Sequence, residues 1–387
     1  ATGYTGNINK TVKPNLMMKY YKNFRISDDE NYRMGYINNA PNPKLRWEKT
    51  RDVKVALDFG LWKDRINGIV EAYWRKSKDC VTSEYVPVTT GFFNQSYNTS
   101  VLQNNGVEFS LSVAVLKSKD YNLSVSANVA WNQNKLKKYN SPNTSLALDK
   151  YVGYPMGAVF SGKYEGIDPE TGMYKFKLRP DAVTNKDGYL REPNNYYYYL
   201  GTSVAPFTGG FNLNFSYKNI GLSVGGSYSV KAKMVDNIES PAGYELLSGS
   251  KLESIPTPHN DLYRNHLNVK REVRNRWTPE NRTGVKYPRL IDAYGKKLGL
   301  DLTNPTLTTI TRGALLEDIS YLRINTIALS YSLPQRVLER INFSSAALNL
   351  TLNNFFTITK YSGIDPEVPG ATYPVSRSVT IGLNVGF

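Results

Sequence analysis

Val107-Glu108-Phe109-Ser110-Leu111-Ser112-Val113-Ala114-Val115 changes from an apolar to a polar or small residue at almost every step. In an extended chain successive side chains leave opposite faces, so Val107, Phe109, Leu111, Val113 and Val115 share one face and Glu108, Ser110, Ser112 and Ala114 the other. The stretch predicts a β-strand. The same pattern returns beyond the polar turn Lys117–Asp120, where Leu123, Val125, Ala127, Val129 and Trp131 alternate with Asn122, Ser124, Ser126, Asn128 and Asn132. It returns again at Phe211–Tyr217, Leu222–Val230, Leu348–Asn353 and Ser378–Phe387. Asp52–Trp62, Arg65–Lys76 and Ile319–Leu333 bring the predicted strands to nine. Several alternate over nine or more residues, longer than the ~5–6 typical of soluble sheets and matched to the ~9–11 of a tilted membrane strand.

Composition narrows the class. The chain has 387 residues, 48 Lys+Arg against 33 Asp+Glu, a formal net charge of +15 and a mean hydropathy of −0.45. No uninterrupted apolar stretch approaches the ~18 residues of a membrane helix. The basic residues are scattered and form no zinc-finger or RNP-type pattern, so a nucleic-acid partner is not expected. A single cysteine, Cys80, precludes an internal disulfide and offers no Cys-x-x-Cys spacing. Residues Ala1–Lys10 contain no apolar core flanked by basic residues, hence no signal-peptide pattern.

The connections alternate in length. Trp62–Arg65, Lys117–Asp120 and Lys218–Ile220 are tight turns and Pro334–Asn342 a moderate one, whereas 78–102, 133–205, 231–316 and 357–374 are long. Short turns on one side and long loops on the other mark an outer-membrane barrel, with turns in the periplasm and loops outside the cell. A soluble β-sandwich has loops at both ends without that asymmetry. The polar faces are richer in Ser, Asn, Thr and Gly than in Lys and Glu, as a crowded lumen requires. Trp62, Tyr73, Trp74, Trp131, Tyr217, Tyr228, Tyr331 and Phe387 fall near strand ends, where aromatic rings sit at membrane–water boundaries. The fold class expected is all-β, a transmembrane antiparallel β-barrel.

Specific words in the sequence point further. Asn42-Pro43-Lys44-Leu45-Arg46-Trp47-Glu48 leads into a strand with Leu57-Asp58-Phe59-Gly60; Asn104-Asn105-Gly106-Val107-Glu108 opens another; Arg276-Trp277-Thr278-Pro279-Glu280-Asn281 precedes Tyr287-Pro288-Arg289. Asp318-Ile319-Ser320-Tyr321-Leu322-Arg323-Ile324, Leu329-Ser330-Tyr331, Leu333-Pro334, Gly363-Ile364-Asp365-Pro366-Glu367 and Ser376-Arg377-Ser378 follow. In this order they resemble the C-terminal part of the SusC/RagA family of TonB-dependent outer-membrane transporters of Bacteroidetes, from about residue 40 to 387.

The resemblance implies a 22-stranded barrel plugged by an N-terminal domain, of which this chain supplies about nine C-terminal strands. Residues 1–46 are then expected in an extracellular loop and 47–387 in strands and loops of the barrel. Nothing matches the plug, so the polypeptide is expected to be the C-terminal half of a longer transporter, separated by a nick or gene split at that exposed loop. The implied partners are the N-terminal plug-bearing portion, a SusD-like lipoprotein lid, TonB-ExbB-ExbD acting through the missing plug, and an oligosaccharide or peptide substrate. The outer membrane with its lipopolysaccharide is the implied environment. A passive porin or adhesin barrel and a soluble β-sandwich binding module are the alternatives.

Candidate site residues follow from loop chemistry. The pentapeptide Gly-Ile-Asp-Pro-Glu occurs at Gly166–Glu170 and Gly363–Glu367, each with a Tyr two residues earlier (Tyr164, Tyr361). Gly166, Asp168, Glu170, Gly363, Asp365 and Glu367 could hold a cation or contact the lipoprotein, but Gly and Asp-Pro are first of all turn formers, and a structural loop role is the main expectation. Tyr196, Tyr197, Tyr198 and Tyr199 offer aromatic faces for sugar stacking or, equally, for packing. Trp277, beside Arg274 and Arg276, makes a similar case for a sugar or anion. His259 and His266 lack companion ligands for zinc. No catalytic motif, metal site or cofactor is expected, and the protein is not expected to be an enzyme.

Overall fold

The computed structural model describes residues 1–7, 17–25, 33–140, 151–170, 172, 174–182, 195–235, 274–285, 312–340, 342–369 and 373–387. They divide into two compact units, Ala1–Ala114 with Ser126–Met156, and Val115–Val125 with Gly157–Phe387.

The first unit contains β1 (Thr2–Asn7), a separate hairpin of β2 (Met17–Arg25) and β3 (Arg33–Asn39), then β4 (Glu48–Leu61), β5 (Ile66–Tyr85), β6 (Asn94–Lys117) and most of β7 (Tyr121–Tyr139). Its sheet runs β1-β4-β5-β6-β7. The register sets Leu61–Ile66–Val113, Phe59–Gly68–Leu111, Leu57–Val70–Phe109 and Val55–Ala72–Val107 in rows on one face. The other face carries Ala56–Glu71–Glu108, Lys54–Tyr73–Gly106 and Asp52–Arg75–Asn104. These charges pair across strands, Lys54 with Glu71 at 2.5 Å and Arg75 with Asp52 at 2.9 Å. The small neutral polar face expected from the sequence therefore does not extend to β4–β6.

The second unit adds β8 (Ala158–Gly162), β9 (Tyr164–Ile167), β10 (Tyr174–Phe176), β11 (Tyr197–Thr202), β12 (Phe207–Tyr217), β13 (Ile220–Val230), β14 (Lys233–Val235), β15 (Leu316–Asp318), β16 (Tyr321–Ser332), helix α1 (Gln335–Arg340), β17 (Ser345–Thr359) and β18 (Ser378–Gly386). Its main sheet is an antiparallel meander, β12-β13-β16-β17-β18. Three apolar rows cross all five strands: Tyr217–Ile220–Tyr331–Leu348–Leu383, Phe215–Leu222–Leu329–Leu350–Ile381 and Leu213–Val224–Ile327–Leu352–Val379. Between them on the opposite face run Ser216–Gly221–Ser330–Asn349–Gly382, Asn214–Ser223–Ala328–Thr351–Thr380 and Asn212–Gly225–Thr326–Asn353–Ser378. These polar rows are small and uncharged, knitted by bonds such as Ser223 to Asn214 at 2.8 Å and Thr326 to Asn353 at 3.1 Å.

The apolar rows stay open. Ile381 is 73% and Leu383 67% exposed, and Leu57 is 64%. A continuous apolar surface of this extent is not sustained against water. Each such side chain moved from water into hydrocarbon gains ~1.5–3 kcal/mol, so a lipid-facing wall accounts for it. Tyr121 stacks on Tyr217 at 6.1 Å beside exposed Tyr331, forming the aromatic border at the short-turn end.

Short turns close one end of each unit. Trp62, Lys63 and Asp64 take φ of 51°, 57° and 61° between β4 and β5, and Lys218 takes 50° between β12 and β13. At the other end the strands run further than alternation indicated. β5 extends to Tyr85 and β6 begins at Asn94, so the loop placed at 78–102 shrinks to 86–93. Beyond Trp74 neither face is apolar, and Asp79 (φ 57°) with a register shift at Cys80 breaks the period while the hydrogen-bonded backbone continues. The segment 133–205 likewise opens with the rest of β7 and contains β8–β11, and 357–374 gives its start to β17. Residues 1–46 carry β1–β3, with β1 paired to β4, so among the described residues the main strands number five in each unit where the sequence indicated nine in all.

Candidate functional site

Three chain segments meet at the loop end of the second unit. β14 pairs with β15, and Ala232, Ile319 and Tyr361 form a small buried core against which Ala205 and Met234 pack. Asp318 receives the Ser320 amide at 2.8 Å, and Ser320 Oγ accepts the Lys231 amide at 2.8 Å. Glu317 receives Ser362 N–H at 2.8 Å and Ser362 O–H at 2.5 Å. The word Asp318–Ile324 is thus a junction, in which Asp318, Ile319, Ser320 and Arg323 make separate contacts.

Arg323 is the most consequential of them. It is 3% exposed; its Nη2 donates to Asp365 Oδ1 at 2.5 Å and its Nη1 lies 2.8 Å from Glu367 Oε2. A bulge aims it there. The β13–β16 and β16–β17 registers both shift at Asn325, so Ile324 rejoins the apolar row beside Gly226 and Phe356, and Arg323 falls opposite Ser227 on the polar face. Unbroken alternation would have put Arg323 on the face of Ile327 and Leu329, toward lipid.

Asp365 also accepts the amides of Glu367 at 2.9 Å and Val375 at 3.2 Å. Burial opposes its ionisation, but those two amides and the Arg323 guanidinium outweigh burial and hold its carboxyl below the ordinary carboxylate range. The two Gly-Ile-Asp-Pro-Glu copies need their glycines for different reasons. At Gly363 a Cβ would run into the Tyr361 ring, whereas Gly166 takes φ of +119°. Asp168 Oδ1 accepts the Glu170 amide at 2.9 Å, closing the first copy as an Asx turn. Both copies are built as turns, and among the described residues no cluster of acids, His or Cys could hold a metal ion.

Trp277 belongs to the first copy. It is 8% exposed and its Nε1 donates to the Pro169 carbonyl at 2.9 Å, so the indole is placed to fix the turn at Pro169 and is withdrawn from solvent. The tyrosine run forms β11, paired with β8: Tyr197 opposite Gly162, Tyr198 opposite Ser161, Tyr199 opposite Phe160. Tyr198 donates to the Leu178 carbonyl at 2.8 Å, burial pushes the Tyr196 phenol up, and Tyr199 is 42% exposed with its ring 5.8 Å from Phe160. His259 and His266 lie outside the described residues. Arg323 was missed as a site residue because it lay inside a strand-like word.

In the first unit Asn42-Pro43-Lys44-Leu45-Arg46 is clamped to the β5–β6 hairpin. Asn42 Nδ2 donates to Ser96 O at 2.7 Å, the Arg46 backbone N–H donates to Asn98 Oδ1 at 2.8 Å, and the Arg46 carbonyl accepts from Asn98 Nδ2 at 2.9 Å. Glu48 accepts the Val81 amide at 2.8 Å. Fully buried Glu84 accepts from Tyr139 and Thr82, each at 2.6 Å.

An antiparallel wall with a lipid-facing apolar side, a polar side and anchored loops defines an outer-membrane β-barrel chain. No protein-family model matches it. TonB-dependent receptor P26 of Formosa agariphila is 25% identical over 91% of this chain and 36% of the relative, and TonB-dependent receptor SusC of Bacteroides thetaiotaomicron is 25% identical over 90% and 33%. A solved structure of the RagAB peptide transporter superposes on the whole chain and 40% of its own with a TM-score of 0.75 at 26% identity. The chain is a relative of the SusC/RagA type of TonB-dependent receptor, located in the outer membrane, and spans between a third and two fifths of the length of the relatives it matches.

Proposed function

We propose that this chain forms the substrate-facing wall and loops of an energised outer-membrane importer for oligosaccharides or peptides. The five-strand apolar rows backed by uncharged polar rows carry the proposal, since they suit a lipid boundary on one side and a hydrated path on the other. The likeness to SusC and to the RagAB peptide transporter supports energised import with a SusD-like lid and TonB over passive diffusion. The protein works by capture and gated passage without covalent chemistry. Tyr199, the exposed member of its run, contacts cargo from β11.

The complex extracted from native outer membranes in mild detergent tests this by the masses of its chains. A plug-bearing polypeptide and a surface lipoprotein recovered with these residues support the importer; a barrel lacking both supports a porin or adhesin. Tyr199→Ala is expected to lower uptake roughly two- to tenfold, the scale of one aromatic contact, with the barrel still inserted. Unchanged uptake removes Tyr199 from the path.

A further inference from the structure

The face that meets lipid changes character abruptly in the first unit. On β5 it reads Ile66, Gly68, Val70, Ala72 and Trp74, then Lys76 and Lys78; on β4 it reads Leu61, Phe59, Leu57, Val55 and Val53, then Arg51 and Lys49. The register sets Arg51 opposite Lys76 and Lys49 opposite Lys78. All four side chains are exposed. Like charges directly opposite on antiparallel strands repel and destabilise the pair, and here two such pairs are stacked. The nearby carboxylates relieve them only in part. Glu48 and Asp52 occupy the opposite face, Asp52 bonds Arg75 there, and Asp79 approaches Lys49 only at 3.9 Å while also facing Arg46 at 3.6 Å. In the second unit the corresponding rows end on Tyr228–Leu322–Ile358, without opposed cations.

Depth fits a headgroup. At ~3.3 Å per residue, Lys76 lies ~7 Å and Lys78 ~13 Å along the strand past Trp74, less once strand tilt is taken out. The polar layer of a leaflet begins at that level and is several ångströms thick. Tyr4, 76% exposed on β1, lies in the Arg51 row with the guanidinium 5.9 Å from its ring centre, and Gln103 continues the row on β6. Aromatic, cationic and amide groups thus border the apolar band at its loop end.

We infer that Lys49, Arg51, Lys76 and Lys78 form a binding site for the phosphate groups of a phosphorylated outer-leaflet glycolipid. The inference rests on the outer-membrane importer reading and adds a located lipid site to it. A bound diphosphorylated headgroup would sit among the four cations and turn the cross-strand repulsion into attraction, with its acyl chains on the Val53–Trp74 side.

The test uses the intact transporter in its native membrane, wild type against Lys49→Gln/Arg51→Gln/Lys76→Gln/Lys78→Gln, with Lys63→Gln/Lys117→Gln/Lys119→Gln/Lys218→Gln at the turn end as the control. Phosphorylated glycolipid retained through detergent exchange is measured by native mass spectrometry. The site variant is expected to lose at least about fivefold, equal to ~1 kcal/mol, the contribution of one basic residue at an anionic surface; the control is expected to retain its lipid. Equal retention by wild type and site variant overturns the inference, as does equal retention of enzymatically dephosphorylated glycolipid. Binding of inorganic phosphate alone, with no lipid retained, assigns the cluster to soluble anions and also overturns it. The single variants Lys76→Gln and Lys78→Gln, graded between wild type and quadruple, carry the test if the quadruple variant fails to insert. Chain recovery and cargo uptake in the same preparations separate the two readings: lipid loss with uptake intact bears on the site alone, and absence of the lipoprotein and plug bears on the importer.

Discussion

Arg323→Ala is expected to cost about 3–5 kcal/mol, the usual consequence of removing one partner from a buried charge pair. Asp365 is 4% exposed and would remain ionised beside two amides with no cation. Unfolding in denaturant should shift to lower concentration, and protease should cut within 360–377 in the otherwise folded barrel. Combining it with Asp365→Ala should cost less than the sum of the singles, because the second change removes the stranded charge. The pH dependence has a definite sign. Asp365 is held below its ordinary value in the folded protein, so the latch contributes fully above the unfolded carboxyl value of ~3.9 and is lost as pH falls through the lower folded one. Loop protection should be flat through neutral pH and fall only in strong acid, and Asp365→Asn should abolish that dependence. Unchanged protection in Arg323→Ala would show that the junction around Tyr361 holds the loop without the ion pair.

The second large effect concerns faces. Ile381 and Thr380 are neighbours on β18, yet Ile381 ends the row Phe215–Leu222–Leu329–Leu350 and Thr380 the row Asn214–Ser223–Ala328–Thr351. A lysine at the lipid midplane costs ~2–4 kcal/mol and one facing the lumen far less. Ile381→Lys is therefore expected to reduce folded, heat-modifiable barrel strongly, while Thr380→Lys leaves it near wild type. Equal losses would mean that the two faces share one solvent.

These strands were legible because a lipid boundary enforces period two over just the residues that cross it. Val107–Val115, Leu222–Val230 and Ser378–Phe387 each announced themselves, and the tight turns at Trp62 and Lys218 followed. Outside that boundary water meets both faces, so Lys76–Tyr85 and Asn94–Gln103 carried no alternation although their backbones pair fully enough to form strands. The β8–β11 pairing was hidden for the same reason. The loop motifs were legible as words whose use was not. Trp277 suggested a sugar platform, and what the word did not reveal is that its indole bonds the Pro169 turn. Arg323 was concealed by the bulge at Asn325, since alternation alone assigns it to the wrong face. Asp52, Lys54, Glu71, Arg75 and Glu108 on the polar face of β4–β6 ran against the expectation of a neutral lumen, and Lys54–Glu71 and Asp52–Arg75 show four of them pairing within the wall.

Single cysteines placed one at a time at Leu348–Asn353 on β17, in a Cys80→Ser background, report which face of the strand meets lipid. In intact outer membranes positions 349, 351 and 353 are expected to react with a small water-soluble maleimide, and 348, 350 and 352 only with a lipid-phase reagent. Equal reaction of all six with the water-soluble reagent would contradict this and return the chain to the soluble β-sandwich reading.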